Sequence, residues 1–140
     1  MQTNHISHFL LTRELFPLLE KSDDPRVINH SSIARYGPPL GSQYLGKNGG
    51  NLGGDKMPMV GMFNGPRWER YHQTKLANCL FTYALKAKVE AAGKKIKSLV
   101  AHPGLAATQL QVTTVVDGGM GNWCVLACVH VWCLGVAGPV

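Results

Sequence analysis

The sequence predicts an α/β chain with a parallel sheet. Three observations carry that prediction: a helical apolar period over residues 4–20, two short β-branched runs at 26–32 and 96–101, and a long helical period at 68–92 between them. Strand, loop, helix and strand in that order imply a right-handed crossover and a parallel pair.

In the first element Ile6, Phe9, Leu10, Leu15, Phe16, Leu18 and Leu19 recur at helical spacing, with Thr3 or Asn4 placed to cap the start. Pro17 is expected to bend or break this helix, because it lacks a backbone donor and crowds the preceding turn. After the turn KSDDP, the run RVINHSS reads as a buried strand ending on the pair Ser31-Ser32. Residues 35–66 hold nine glycines and four prolines in thirty-two positions. They are the least structured stretch expected, either a mobile surface insertion or a substrate loop. The GGNLGG within it is not read as a phosphate cradle, since no strand runs into it and no helix opens from it.

Along residues 68–92, Leu76, Ala77, Leu80, Phe81, Tyr83, Ala84, Leu85 and Ala87 sweep more than half of the helix circumference. That is the pattern of a helix packed on two sides, and Gly93 is its expected C-cap. KIKSLVAHPG supplies the second strand, 96–101, stopped by Pro103-Gly104.

Bulk composition narrows the function classes. With 45% hydrophobic and 16% charged residues the 140-residue chain is globular in type and of one-domain size. Its net charge is +6, but the basic residues are spread from Arg13 to Lys97, and the one cluster, Lys94, Lys95 and Lys97, has no interleaved aromatics. A nucleic-acid partner is therefore not expected. Cys124, Cys128 and Cys133 surround His130 in an apolar tail, without the C-x2-C pairs of zinc modules. Buried thiols, and no metal site, are expected. No secretory signal opens the chain, so a reducing, cytoplasmic compartment is the expectation. The apolar tail 123–137 falls near the lower length limit for a membrane span and carries a histidine; membrane association through it is the alternative.

Tyr71 and Lys75 stand four apart on the long helix, so their side chains share a face with Cβ atoms about 5–6 Å apart. Asn78 and Thr82 lie close to the same line, which leaves open an ordinary polar stripe facing water. The chemical reading is that an ammonium favours phenolate, bringing a group whose ordinary pKa is near 10 toward working pH for general acid–base catalysis. Such a phenol needs partners that fix a substrate oxygen. Ser31 or Ser32 at the carboxyl end of the first strand, and Thr108 beyond the second, occupy the rim where ligands bind in open parallel sheets.

Taken in order, TNHISHFLLT, RVINHSSIAR, YHQTKLAN and HPGLAAT resemble four motifs of the short-chain dehydrogenase/reductase family: its asparagine helix start, serine-bearing strand, Y-x-x-x-K helix and P-G-x-x-x-T turn. WERYHQTKLANCLFTYAL is similar to the retinol-dehydrogenase-like branch in particular. The resemblance covers about residues 2–114 and implies a partial Rossmann-like, doubly wound parallel sheet lacking the amino-terminal nucleotide-binding strands. Residues 1–114 are then the carboxyl-terminal half of the domain with an insertion at 35–66, and 115–140 a divergent apolar tail. By position, Asn4 matches the asparagine that helps hold a proton-relay water, and Ser32 the serine that steadies the substrate carbonyl. Tyr71 matches the proton donor or acceptor, and Lys75 the lysine that favours the phenolate and binds the nicotinamide ribose. Pro103, Gly104 and Thr108 match the turn lying along the nicotinamide. The implied reaction is reversible hydride transfer between NADP or NAD and a small-molecule alcohol or carbonyl.

Three departures bear on that expectation. The glycine-rich T-G-x-x-x-G-x-G turn is not within the 140 residues, and it is the turn whose backbone N–H groups seat the pyrophosphate. Ser7 stands where the family commonly has glycine, and the Ser32-to-Tyr71 interval is thirty-nine residues (71 − 32), three times the usual one. The expectation is a truncated oxidoreductase that binds dinucleotide weakly and is inactive alone. The alternative is a non-catalytic fragment that associates with full-length relatives, or with itself, through its two long helices.

Overall fold

In the computed structural model, residues 1–45 and 66–104 are described, side chains of 66 and 67 excepted. The chain divides into two compact units, Met1–Leu52 with Glu69–His102, and Gly53–Trp68 with Pro103–Val140. Almost everything described belongs to the first. Its architecture is α/β: a helical start leads into α1 (Ser7–Leu19), then β1 (Arg26–His30), α2 (Pro66–Ala91) and β2 (Lys97–Ala101). The two strands pair in parallel, with Arg26 opposite Lys97 and His30 opposite Ala101. Ser31 extends the ladder by donating its N–H to Ala101 O at 2.8 Å.

The chain start differs from the expected capped helix. Gln2–Ile6 is a π-helical turn with no side-chain cap, closed by Ile6 N–H to Met1 O at 3.3 Å. The Asn4 side chain is engaged elsewhere, its Nδ2 donating to Thr74 Oγ1 at 3.3 Å, and the Thr3 carbonyl accepts from Ser7 Oγ at 2.6 Å. A tertiary contact has displaced the local cap. Nor does Pro17 break α1, which runs on to Leu19. The imino nitrogen costs one donor in the final turn, and Glu20 N–H still reaches Phe16 O at 3.1 Å.

Gly93 closes α2 as expected. Its φ is 61°, Lys94 N–H reaches Val89 O at 2.8 Å, and Gly93 N–H reaches Glu90 O at 3.0 Å. This is the Schellman pattern, which requires the left-handed conformation that glycine adopts without a Cβ penalty. The small apolar core joins Leu85, Val89 and Ile96 to Phe16, Leu19, Val27 and Phe81. It fastens the last turns of α1 and α2 to the start of both strands.

Two burial expectations are overturned. Only Asn29 of β1 is buried and Ile28 is 59% exposed, because among the described residues the sheet has just two strands and one covered face. On α2 the apolar sweep is only partly covered: Ala77 and Leu85 are buried and Leu76 and Phe81 half-buried, but Leu80, Tyr83, Ala84 and Ala87 are exposed, while the polar His72, Gln73, Thr74, Lys75, Asn78 and Thr82 are buried. The polar stripe faces inward.

Candidate active site

The buried stripe of α2 lies against the carboxyl end of β1, and hydrogen bonds explain why polar residues are tolerated there. Asn29 Nδ2 donates to Thr82 Oγ1 at 2.9 Å, and Thr82 Oγ1 donates to Asn78 O at 2.9 Å. Ser98 Oγ on β2 donates to Thr82 O at 2.9 Å. Ser31, wholly buried, gives its hydroxyl proton to Lys75 O at 3.0 Å with Cys79 Sγ 3.1 Å away. Among the described residues no buried side-chain polar atom lacks a partner. That satisfaction removes the desolvation penalty that an unpaired buried polar group would carry.

Lys75 stands at the centre. Its Nζ approaches His30 Nδ1 at 3.2 Å and His30 O at 3.3 Å, and lies 5.5 Å from the centroid of the Tyr71 ring. The i, i+4 spacing therefore does bring cation and phenol ring together, within cation–π range. Burial holds the Lys75 ammonium below its ordinary pKa, since water that would solvate the charge is excluded.

Asn78 ties three segments together. Its Nδ2 donates to Asn4 O and to His30 O, both at 3.0 Å, and its Oδ1 accepts from His5 Nδ1 at 2.9 Å. Thr74 adds a second link, taking the Asn4 Nδ2 bond and giving its own hydroxyl proton to Tyr71 O at 2.7 Å. Asn4 is thus held against the turn of α2 that carries Tyr71 and Lys75.

Of the two strand-end serines, Ser31 is committed to the packing of α2. Ser32 is half-buried, and its Oγ accepts from Ala34 N–H at 3.2 Å as the cap of the 3-10 turn Ile33–Arg35. It lies two residues after His30, at the strand end that Lys75 grips. Gly104 has a φ of 71° and belongs with Pro103 to the second unit. Thr108 and the 123–137 tail lie outside the described residues.

The start of the glycine-rich insertion is better fixed than its composition suggests. Gln73 accepts from Gly41 N–H at 2.7 Å and donates from Nε2 to Pro39 O at 3.1 Å, while His72 contacts Ala34 O and Pro38 O. A Cβ on Gly37 would meet the His72 ring at 2.8 Å, so glycine is required there for close approach. Neighbours on α2 thereby fasten residues 34–41 beside the Tyr71–Lys75 turn.

His30, His72 and Gln73 are the parts that sequence reasoning passed over, and Asn78 was read only as part of a polar stripe. Asn78 sits seven residues from Tyr71, on its face, which was a usable signal; His30 follows a strand pattern that says nothing of Lys75. Among the described residues no group of three or more His, Cys, Asp or Glu could hold a metal, and no helix is long and apolar enough to cross a membrane.

No protein-family model matches the chain. Retinol dehydrogenase 12 of Bos taurus is 34% identical over 111 residues, covering 79% of this chain and 30% of that protein. Retinol dehydrogenase 11 of Homo sapiens is 35% identical over 107 residues, covering 76% and 29% respectively. A short-chain dehydrogenase/reductase of Armillaria gallica is 31% identical over 132 residues, 88% of this chain and 39% of its own. The chain spans about a third of the length of these curated relatives. Among solved structures, an uncharacterized protein from Mycobacterium paratuberculosis superposes with a TM-score of 0.54 at 30% identity, covering 84% of this chain and 37% of that one.

Proposed function

Because the chain belongs to the short-chain dehydrogenase/reductase family, we propose that it carries the proton-transfer half of an NAD(P)-dependent alcohol/carbonyl oxidoreductase. The observation that carries this reading is the Lys75 ammonium, held dry at the carboxyl end of β1 and 5.5 Å from the Tyr71 ring. Tyr71 is the proton donor or acceptor for the substrate oxygen, and Ser32 steadies that oxygen. Asn4 lends the helix start that holds a relay water. Lys75 has three N–H groups and spends two on His30, so the third can be given to a ribose hydroxyl. That donor fits a nicotinamide nucleotide, which when bound supplies or accepts the hydride. For Pro103, Gly104 and Thr108 a cofactor-binding role is proposed on the resemblance alone.

The T-G-x-x-x-G-x-G turn is not within these 140 residues. On this reading the chain by itself is weak in dinucleotide binding and inactive in turnover, since the backbone N–H groups of such a turn are what seats a pyrophosphate. Titration of the purified chain with NADPH and NADH, followed by nucleotide fluorescence, tests this. Weak saturable binding that Lys75→Met abolishes and Tyr71→Phe retains is expected. Binding unchanged by Lys75→Met would refute the site, and sustained NAD(P)H oxidation by the chain alone would refute its inactivity.

A second reading draws on exposed apolar side chains. Leu11, Leu15 and Leu18 on α1, with Leu80 and Tyr83 on α2, favour a fragment that associates through these helices with itself or with full-length relatives. Co-purification with an intact relative, lost on Leu80→Glu, is its test.

A further inference from the structure

The resemblance assigns no role to His30, yet this residue makes both contacts that the Lys75 ammonium forms at the strand end. We propose that His30 is a positioning residue for Lys75: Nδ1 of its neutral imidazole accepts one ammonium proton while its own carbonyl accepts a second. The significance of the aimed cation rests on the hydride-transfer reading, whereas the contact itself rests on geometry alone.

The distances are 3.2 Å from Nζ to Nδ1 and 3.3 Å from Nζ to the His30 carbonyl oxygen. An ammonium has only donors, so Nδ1 must offer its lone pair, which fixes the imidazole as the Nε2–H tautomer. The backbone that presents this ring is itself fixed: the His30 carbonyl also accepts Asn78 Nδ2 at 3.0 Å, and the register sets His30 against Ala101. The carbonyl's two lone pairs are then both used. A buried ammonium needs acceptors to remain charged, and His30 supplies two of them from one residue.

The pairing also has a sign with respect to pH. Protonating Nδ1 removes its lone pair and sets two cations against each other. Burial, Lys75 from α2, His102 after β2 and His8 from α1 all hold the His30 pKa below its ordinary value, and among the described residues no carboxylate acts against them. The contact is therefore present at neutral pH and is lost as pH falls through the His30 transition.

Lys75 labelling by trace acetic anhydride at pH 8, quantified by peptide mass spectrometry in the full 140-residue chain, tests the proposal. Exposed Lys86 serves as the internal reference. Replacing His30 with leucine should raise Lys75 labelling roughly three- to tenfold, because an ammonium that loses an acceptor of a charge-assisted bond gives up its proton more readily. His30→Asn, which restores an acceptor oxygen, should return most of that change; a general loosening of the fold would not be rescued in this way. In parallel, the His30 ring observed by long-range 1H–15N NMR should show an unprotonated Nδ1, and Lys75→Met should move its titration to higher pH. A protonated Nδ1 in the neutral ring, or unchanged labelling in both His30 variants, overturns the proposal. Neither readout involves dinucleotide, so expected labelling combined with no NAD(P)H binding would leave the contact standing and remove the proposed reaction.

Discussion

Replacing Asn78 with alanine tests whether the polar face of α2 is a buried fastening or a wet surface. The residue is 3% exposed and makes three hydrogen bonds: its two N–H groups to Asn4 O and His30 O, and Oδ1 from His5 Nδ1. The His30 carbonyl keeps a Lys75 proton after the change, while the Asn4 carbonyl loses this donor. Three hydrogen bonds worth about 0.5–1.5 kcal/mol net each place the loss at about 2–4 kcal/mol of unfolding free energy. Urea denaturation followed by far-UV circular dichroism measures it, the midpoint falling while the slope stays the same. Lys86→Ala on the exposed face of the same helix is the control, expected within about 0.5 kcal/mol of the parent chain. If Asn78→Ala matched that control, the inward orientation of the stripe would be refuted, and with it the buried setting of Lys75.

Gly93→Ala should cost about 1 kcal/mol in the same assay, through conformation alone: φ is 61° and nothing lies within 4 Å of the added Cβ. Asp24 is held at a pKa of about 2 by hydrogen bonds from Arg26 and Lys97. Its folded-state pKa is depressed, so its stabilisation is present above the unfolded value near 4 and is lost as pH falls through about 2. The difference in urea midpoint between the parent chain and Asp24→Asn should therefore be seen at pH 6, fall away as pH drops through about 2 and shrink in high salt.

Local rules made the element order, the parallel pairing and the Gly93 cap legible, because each follows from a period or a punctuating residue within a few positions. The Tyr71–Lys75 approach was legible for the same reason, being a property of one helix. What failed was everything that depends on a distant partner. Asn4 reads as a cap until Thr74, seventy positions away, takes its side chain. Pro17 reads as a breaker until its place in the last turn is known. RVINHSS reads as buried because apolar content marks strands, but burial depends on what covers each face, and here Ile28 is exposed. His30 could not be found at all, since its partner is forty-five positions on and joined by no periodicity.

The buried polar stripe of α2 bears on function more directly than any single contact. A helix ordinarily buries its apolar face, and Leu80 at 44% and Tyr83 at 67% exposure breach that rule beside a buried Gln73, Thr74 and Asn78. Removing one partner of such a pair is costly, but apolar residues of similar shape in place of both are often neutral or better. Stability therefore gives no reason for the arrangement. Holding Lys75 does: Asn78 bonds the carbonyl that Lys75 grips, Ser31 bonds the Lys75 carbonyl, and Thr74 bonds that of Tyr71. Side chains of α2 and of the β1 end thus act on the backbone of the two residues proposed above to meet substrate and nucleotide. Departures from ordinary amphipathic design are expected to concentrate at sites of function, and in the described part of this chain the buried polar residues of α2 cluster between Tyr71 and Asn78, with Thr82 one turn on.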